Sequence, residues 1–332
     1  MRRWAVRLRG VAVFAVVAWA PAHAGLLNVA WDNDLLTGSD KGYTNGLRLS
    51  WLSTAAEQND ECKTCVVAGL RDGFSWLPGV GSPGSRHAVA VSLRQMMVTP
   101  ENIEAAAPQY DDIPYMGYLS VESFLYSWNH TRMTGYGITA GIIGPDSGAE
   151  RAQKWVHKIS GSTDPQGWDN QLGTDIVGGL HVTHAHRFLV LGEQQAIRNE
   201  FVWGASAHAS TFLSNAMLGI FWRAGRNLPG NFVPEYAGLS SSIGLPGLLD
   251  TTGKGWSVFA GLIGEAIPYS YLEERSGPYT FEQRTLVGHV SLGAGLHTDN
   301  FQVALTLRAT TAQEETNKDP LTFGTLSLTW RL

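Results

Sequence analysis

The amino-acid sequence predicts an all-β protein, a closed antiparallel transmembrane β-barrel of about twelve strands with a short helix in an extracellular loop. Apolar and polar residues alternate along many segments, and the chain contains 38 glycines and 12 tryptophans. Only 16% of the residues are charged, against about 25% in a typical soluble protein. No run of about 20 apolar residues follows the N-terminal leader, so strands rather than helices would cross the membrane.

The alternation is clearest at the C-terminus, where Leu326, Leu328 and Trp330 share one face of a strand and Ser327 and Thr329 share the other. An even number of strands places both termini on the periplasmic side, and closure removes unpaired strand edges. Segments 35–42 and 144–172 are then extracellular, whereas 54–86 and 226–254 are periplasmic. The predicted strand cores are 26–34, 43–53, 87–98, 116–128, 132–143, 173–186, 197–210, 215–225, 255–268, 284–297, 300–311 and 322–332.

The first 24 residues are typical of a secretory signal peptide. Four arginines precede the apolar run 11–20, and Ala22 and Ala24 occupy the positions that a signal peptidase recognises. The run is too short to span about 30 Å of hydrocarbon. We therefore expect residues 1–24 to be removed, and residues 25–332 to form one barrel in the bacterial outer membrane.

The charge and the cysteines restrict the function classes. The net charge is −5, and the predicted leader holds four arginines and no acids, so the mature chain is more acidic and lacks the basic surface that nucleic acid requires. Cys62 and Cys65 are the only cysteines. Their spacing could mean redox chemistry or half of a zinc site. In an exported protein an oxidised local loop, or two idle thiols, is the simpler interpretation.

A helix is predicted at about residues 147–159, within the long segment 144–172, and Gly161 could end it. Because one of its faces is apolar, it must pack against something, and the barrel rim is the nearest partner. The apolar stripe comprises Ala152, Trp155, Val156 and Ile159, and the polar stripe comprises Glu150, Gln153, Lys154 and His157.

Three polar stretches are candidates for chemistry: 31–34, 42–46, and the predicted helix with the following 167–171. Asp34 and Thr44 share lumen-facing parity if the alternating apolar residues of their strands face lipid. A histidine such as His157 near a carboxylate could activate water, and a cation held by Asp, Asn or Thr oxygens could polarise an ester carbonyl. The alternatives are ordinary turn residues and a solvated histidine.

Five motifs occur in order along the chain: N-D at 33–34, Y-T-N-G-L-R-L-S-W at 43–51, G-I-I-G-P-D at 141–146, W-V-H-K-I-S-G at 155–161 and G-W-D-N-Q-L at 167–172. Together they resemble the LpxR family of lipid A 3'-O-deacylases over nearly all of the mature chain. The resemblance implies a twelve-stranded, calcium-dependent esterase that removes the 3'-linked acyloxyacyl group of lipid A in the outer leaflet. Residues 25–332 would then be the esterase domain, with chemistry similar to that of outer-membrane phospholipase A.

By this resemblance His157 is the general base, Asn33 and Asp34 hold the cation or the oxyanion, and Thr44 is an orienting hydroxyl. The family's glutamate after the histidine is absent, because Thr163 stands at that spacing and Asp164 follows as a possible cation ligand. Residues 99–112 contain several acids and no Lys or Arg, which leaves a phospholipase-like esterase acting on glycerophospholipids as an alternative. A barrel without catalytic activity is the third alternative for the function. We expect a monomer whose partners are the outer membrane and lipid A or another outer-leaflet lipid.

Overall fold

The computed structural model describes residues 25–33, 42–56, 65–193, 196–232, 248–315 and 320–332. The predicted signal peptide, Asp34 and Cys62 lie outside these residues. The described part holds three α-helices, α1 (Cys65–Gly73), α2 (Ala149–Ser160) and α3 (Tyr271–Arg275). It also holds twelve strands: β1 (Gly25–Asn33), β2 (Gly42–Ser53), β3 (Arg86–Thr99), β4 (Met116–Trp128), β5 (Arg132–Ile143), β6 (Asp175–Leu191), β7 (Arg198–Ser210), β8 (Leu213–Arg226), β9 (Gly255–Ser270), β10 (Leu286–His297), β11 (Phe301–Ala312) and β12 (Pro320–Arg331).

The strands form one closed antiparallel barrel, which confirms the predicted fold class. Each strand pairs with its neighbours in sequence, and β1 pairs with β12, with Leu27 opposite Trp330. All but one of the predicted strand bounds lie within two residues of the observed ones. The exception is the end of β6, which was predicted at residue 186 and lies at Leu191. A register shift between Arg187 and Leu189 interrupts the alternation there, so the last residues were not recognised as strand.

The two faces of the barrel differ as a membrane requires. On β2, Leu47 and Leu49 are exposed on the outside, whereas Arg48 and Ser50 are buried inside. The same alternation recurs around the barrel, and an apolar surface of this extent is stable only in lipid. Among the described residues, none of the helices combines the length and the apolar character needed to span a membrane.

Side chains fill the described interior. Phe124 and Tyr126 of β4 stack with their ring centroids 5.3 Å apart, and both are almost fully buried. Arg94 and Glu122 are buried in the same interior. Large aromatic and charged groups of this kind pack a lumen with protein at their level of the barrel.

The topology defines two ends of the barrel. The terminal end holds Gly25 and Leu332, together with the described connections 65–85, 129–131, 248–254 and 298–300. The opposite end holds connections 100–115, 144–174 and 271–285. These groupings match those predicted for the periplasmic and extracellular sides.

Candidate active site on the outer wall of the barrel

A row of four paired residues crosses β1 to β4 near the opposite end. Asn33 pairs with Asn45, Asn45 with Met97, and Met97 with Gly117. Asn33 shares the strand parity of Trp31, whose side chain points away from the lumen, yet it is only 5% exposed. Because side chains alternate along a strand, the positions of Asn33, Met97 and Gly117 in this row face the outer wall of the barrel rather than its interior.

Helix α2 begins on this row. A Cβ atom added at Gly117 would overlap the Ser147 side chain and Ala149, so only glycine lets the helix approach β4 this closely. Ala149 also packs with Met97 of β3, and α2 contacts both strands. The helix therefore lies against the outside of the barrel wall.

The prediction of the apolar face of α2 is wrong in three positions. Trp155 and Ile159 are 65% and 67% exposed, and Gln153 from the predicted polar stripe is almost fully buried. Ala152 and Val156 of the apolar stripe are half-buried, as predicted. A helix on a lipid-facing wall does not have to turn all its apolar side chains toward protein, because its outer flank need not face water.

The G-W-D-N-Q-L motif fixes the position of α2. The Trp168 Nε1 group donates a hydrogen bond of 2.7 Å to Gln153 Oε1, and the Trp168 ring packs 5.0 Å from that of Tyr115. A side chain at Gly167 would overlap the Tyr115 ring. Burial raises the pKa of the Tyr115 hydroxyl, so this group stays neutral. The motif contributes packing to the candidate site, with Asp169 pointing to the surface.

His157 is half-buried in the last turn of α2. Gly161 adopts a left-handed conformation with φ of 73°, donates its N–H to the His157 carbonyl and ends the helix, as predicted. The chain then turns back, and the Thr163 carbonyl accepts a hydrogen bond from His157 Nδ1. Because a carbonyl only accepts, Nδ1 carries the proton and Nε2 is the ring nitrogen that can take one up.

Thr163 and Asp164 thus differ in their relation to His157. The backbone of Thr163 orients the imidazole, whereas the Asp164 carboxylate is exposed and accepts a 3.0 Å hydrogen bond from Gln166 Nε2. Within the described residues, no group of three or more His, Cys, Asp and Glu side chains is placed to hold a metal ion. The assignment of Asp164 as a cation ligand stays a prediction.

Of two other predicted site residues, the structure describes only the backbone of Thr44 and nothing of Asp34. Thr44 is the extra residue of a β-bulge between Tyr43 and Asn45, and its side chain lies outside the described part. Asp34 follows directly after Asn33 and is outside the described residues altogether. Bulges redirect side chains beside functional sites, so the lumen-facing parity predicted for Thr44 does not follow from simple alternation.

The outward flank of α2 carries positive charge. Arg151, Lys154 and Lys158 are exposed on it, with Lys154 Nζ 2.8 Å from Glu150 Oε1. The hydrogen bond to Glu150 raises the pKa of Lys154, so this amine is charged at neutral pH. On a helical projection the three cations lie between His157 and the exposed Trp155.

The sequence interpretation missed three residues that position the helix, namely Met97, Tyr115 and Gly117. Gly117 was the detectable signal. A glycine inside an otherwise regular strand often marks the close approach of another segment.

The fold and this arrangement define a twelve-stranded transmembrane β-barrel with a histidine-bearing helix on its outer wall. The model of the family described as "Outer membrane protein LpxR" matches residues 8–332. The chain therefore belongs to the LpxR family of outer-membrane proteins.

Comparison of structures agrees with this assignment. LpxR from Salmonella typhimurium superimposes with a TM-score of 0.73 at 18% sequence identity, covering 92% of this chain and 99% of that chain. This likeness shows the common fold. The β domain of the Bordetella autotransporter BrkA covers 92% of this chain and 97% of its own at 9% identity, but its TM-score of 0.43 supports no argument. A sequence comparison with curated proteins found no match.

Proposed function

We propose that this protein is an outer-membrane lipid A deacylase that hydrolyses the ester of the 3'-linked acyloxyacyl group. The observation that carries the proposal is the position of His157, on a helix against the lipid-facing wall, with Nδ1 donating to a carbonyl and Nε2 able to accept a proton. Membership of the LpxR family supports lipid A as the substrate.

The geometry of α2 supports the convergence of His157 with β1 and β2. The helix begins over β4 and contacts β3, the direction that leads to the other two strands. Eight residues of helix separate Ala149 from His157, a rise of about 12 Å. Three strand spacings, about 14 Å, separate β4 from β1. The helical rise matches the distance from β4 to β1, and we therefore propose that α2 carries His157 to the β1 end of the row, where Asn33 lies.

In the proposed reaction, His157 Nε2 removes a proton from water, and the resulting hydroxide attacks the ester carbonyl. Asn33 donates its amide N–H to the oxyanion, and Thr44 orients the water or the ester. When the tetrahedral intermediate collapses, the protonated His157 gives its proton to the departing sugar oxygen. The products are an acyloxyacyl carboxylic acid and lipid A with a free 3'-hydroxyl group. The Thr163 carbonyl stabilises the imidazolium through Nδ1 during both proton transfers.

Calcium belongs to this proposal through the family resemblance alone. Asn33 and Asp34, with Asp164 as a further candidate, would contribute oxygen ligands, the donor type that Ca²⁺ prefers. Bound there, the ion would polarise the ester carbonyl.

The outward flank of α2 suits a phosphorylated lipid. Its three cations can pair with phosphate groups, while Trp155 and Ile159 suit the acyl boundary, as in helices that lie in a membrane interface. The connection 100–115 carries acids instead, including Glu101 and Asp112, so α2 is the better phosphate contact. These features support a site at the outer leaflet, with the opposite end of the barrel facing the cell exterior.

The test uses two substitutions of His157, in cells whose lipid A is analysed by mass spectrometry. His157→Asn keeps a side-chain N–H that can reach the Thr163 carbonyl but has no basic nitrogen, and His157→Ala removes both functions. We expect both variants to lose about 10²–10⁴-fold in deacylation rate. His130→Ala, an exposed histidine at the terminal end, is the matched control and should keep full activity.

Barrel assembly is checked by heat-modifiable mobility on gels. Complete deacylation by an assembled His157→Asn variant would refute the role of the histidine. Release of fatty acid from glycerophospholipids, with lipid A unchanged in wild-type cells, would favour the phospholipase-like alternative.

A further inference from the structure

We propose that the outer segment, residues 65–85, is a membrane anchor that inserts Phe74 and Trp76 into the headgroup boundary of the phospholipid leaflet at the terminal end. The segment consists of α1 and the turns that follow it. This inference is independent of the proposed deacylase activity.

The outer segment lies on the outside of the barrel. Val67 and Val80 pack against Val89 of β3 and Leu125 of β4. Val89 has the same strand parity as the exposed Leu93, so this part of the wall would otherwise face lipid. Leu70 and Leu77 extend the same cluster to Tyr136 of β5.

Hydrogen bonds hold the segment to polar groups on the same outward face. His87 Nε2 accepts a 3.0 Å hydrogen bond from the backbone N–H of Gly81, and Ser127 Oγ donates one of 2.6 Å to the carbonyl of Gly79. Tyr136 donates its hydroxyl to the Pro78 carbonyl at 2.9 Å. Without the segment, His87 and Ser127 would face the membrane with these groups unsatisfied, a costly arrangement in hydrocarbon.

The outer segment also completes an aromatic girdle. Trp51, Trp256 and Trp330 point outward within three residues of the terminal ends of β2, β9 and β12. At comparable positions β3 and β4 carry His87 and Ser127, which the segment covers. Membrane barrels place aromatic residues at both lipid–water interfaces. The girdle would be interrupted on this side if the segment did not supply aromatic side chains of its own.

Phe74 and Trp76 are those side chains, 42% and 74% exposed. The segment that carries them packs on the wall that would otherwise face lipid. Arg71 and Asp72 are its only charged residues and pair with each other at 2.8 Å, so the segment is electrically neutral. A neutral, aromatic surface suits glycerophospholipids better than a phosphate-rich lipid A layer.

The test measures the fluorescence of single tryptophans by difference. The mature barrel and its Trp76→Phe variant are reconstituted into vesicles of plain phosphatidylcholine and of phosphatidylcholine brominated near the top of the acyl chains. The difference between the two proteins is the emission of Trp76. We expect bromine to reduce this difference at least about twofold, because an interfacial side chain lies within about 5–10 Å of the headgroup boundary.

Two further variants calibrate the result. The Trp256→Phe difference reports a girdle tryptophan and should be quenched to a similar degree, whereas the Trp168→Phe difference reports a side chain buried in protein and should not be. The proposal is overturned if the Trp76 difference is equal in plain and brominated vesicles and is quenched by aqueous iodide instead. That outcome would leave the deacylase proposal untouched.

Discussion

Replacing Gly117 with alanine tests the link between the barrel wall and helix α2, to which the proposed reaction assigns the general base. The added Cβ would lie within 3.0 Å of the Ser147 side chain and of Ala149. Carbon atoms in good contact are about 3.5–4.0 Å apart, so the start of α2 must move outward by at least about 0.5–1 Å. His157 moves with the helix, and a misplacement of about 1 Å can cost about 10²-fold in rate. We expect Gly117→Ala to lower lipid A deacylation by about 10–100-fold.

The assay is a time course of lipid A mass spectra from purified protein in mixed micelles, with barrel assembly followed by heat-modifiable mobility. Gly264→Ala is the matched control. It changes an outward-facing glycine of β9 that has no atom within 4 Å of the added Cβ, so its activity should equal that of the wild type. If the assembled Gly117→Ala variant deacylates as fast as Gly264→Ala, then α2 does not position the active histidine and the reasoning fails.

Three more outcomes follow from the structure. Glu200 is 1% exposed and pairs at 2.6–2.8 Å with three arginines. Glu200→Gln should therefore lower the free energy of unfolding in urea by about 3–5 kcal/mol, whereas Glu193→Gln, at an exposed position, should not change it. Equal urea midpoints for the two variants would contradict this prediction. Trp168→Phe leaves the buried Gln153 Oε1 without its hydrogen-bond donor, at a cost of about 1–3 kcal/mol. The rate of amide hydrogen exchange in α2 should rise, while the mobility of the barrel on gels stays unchanged. An unaltered exchange rate would count against the role of this bond. Removing divalent cations with EDTA should abolish deacylation and Ca²⁺ should restore it, whereas full activity in EDTA would exclude the predicted calcium dependence.

The strands could be predicted almost completely because a membrane barrel imposes the same two environments along every strand. Leu47 and Leu49 meet lipid while Arg48 meets the packed lumen, and this contrast produces a strict period of two. The pattern fails where the backbone departs from the regular ladder. At Phe188 and at Thr44 the register shifts by one residue, and the sequence carries no clear signal for either shift.

The candidate site was predictable in its residue types but not in its placement. The sequence places His157 on a helix that ends at Gly161, and the structure agrees. It could not predict that the helix packs on the outer wall, because this depends on the cross-strand register that puts Gly117 in the row of Asn33. The packing of the apolar stripe was wrongly predicted because the position of the helix was unknown. Apolar side chains are usually assigned to a protein core, and this assignment fails for Trp155 on a lipid-facing wall.

Helix α1 was missed, although the polar residues beneath it were a usable signal. His87 and Ser127 occupy strand positions that point to lipid, where an uncovered polar group is costly. A covering segment is the simplest solution, and residues 54–86 were the long connection available at that end. Outward-facing polar residues near strand ends are therefore worth examining in barrel sequences.

The two ends of the barrel apply this solution with different consequences. At the terminal end, the backbone of the outer segment pairs with His87 Nε2 and Ser127 Oγ, so these two atoms help to hold the segment. At the opposite end, α2 is held by packing at Gly117 and by the bond between Trp168 and Gln153, none of which involves His157. The imidazole is instead oriented through Nδ1 by a backbone carbonyl, which keeps Nε2 as the proton acceptor. This separation between the groups that attach the helix and the group that can act as a base is why the proposed chemistry belongs to α2 and the proposed anchoring to the outer segment.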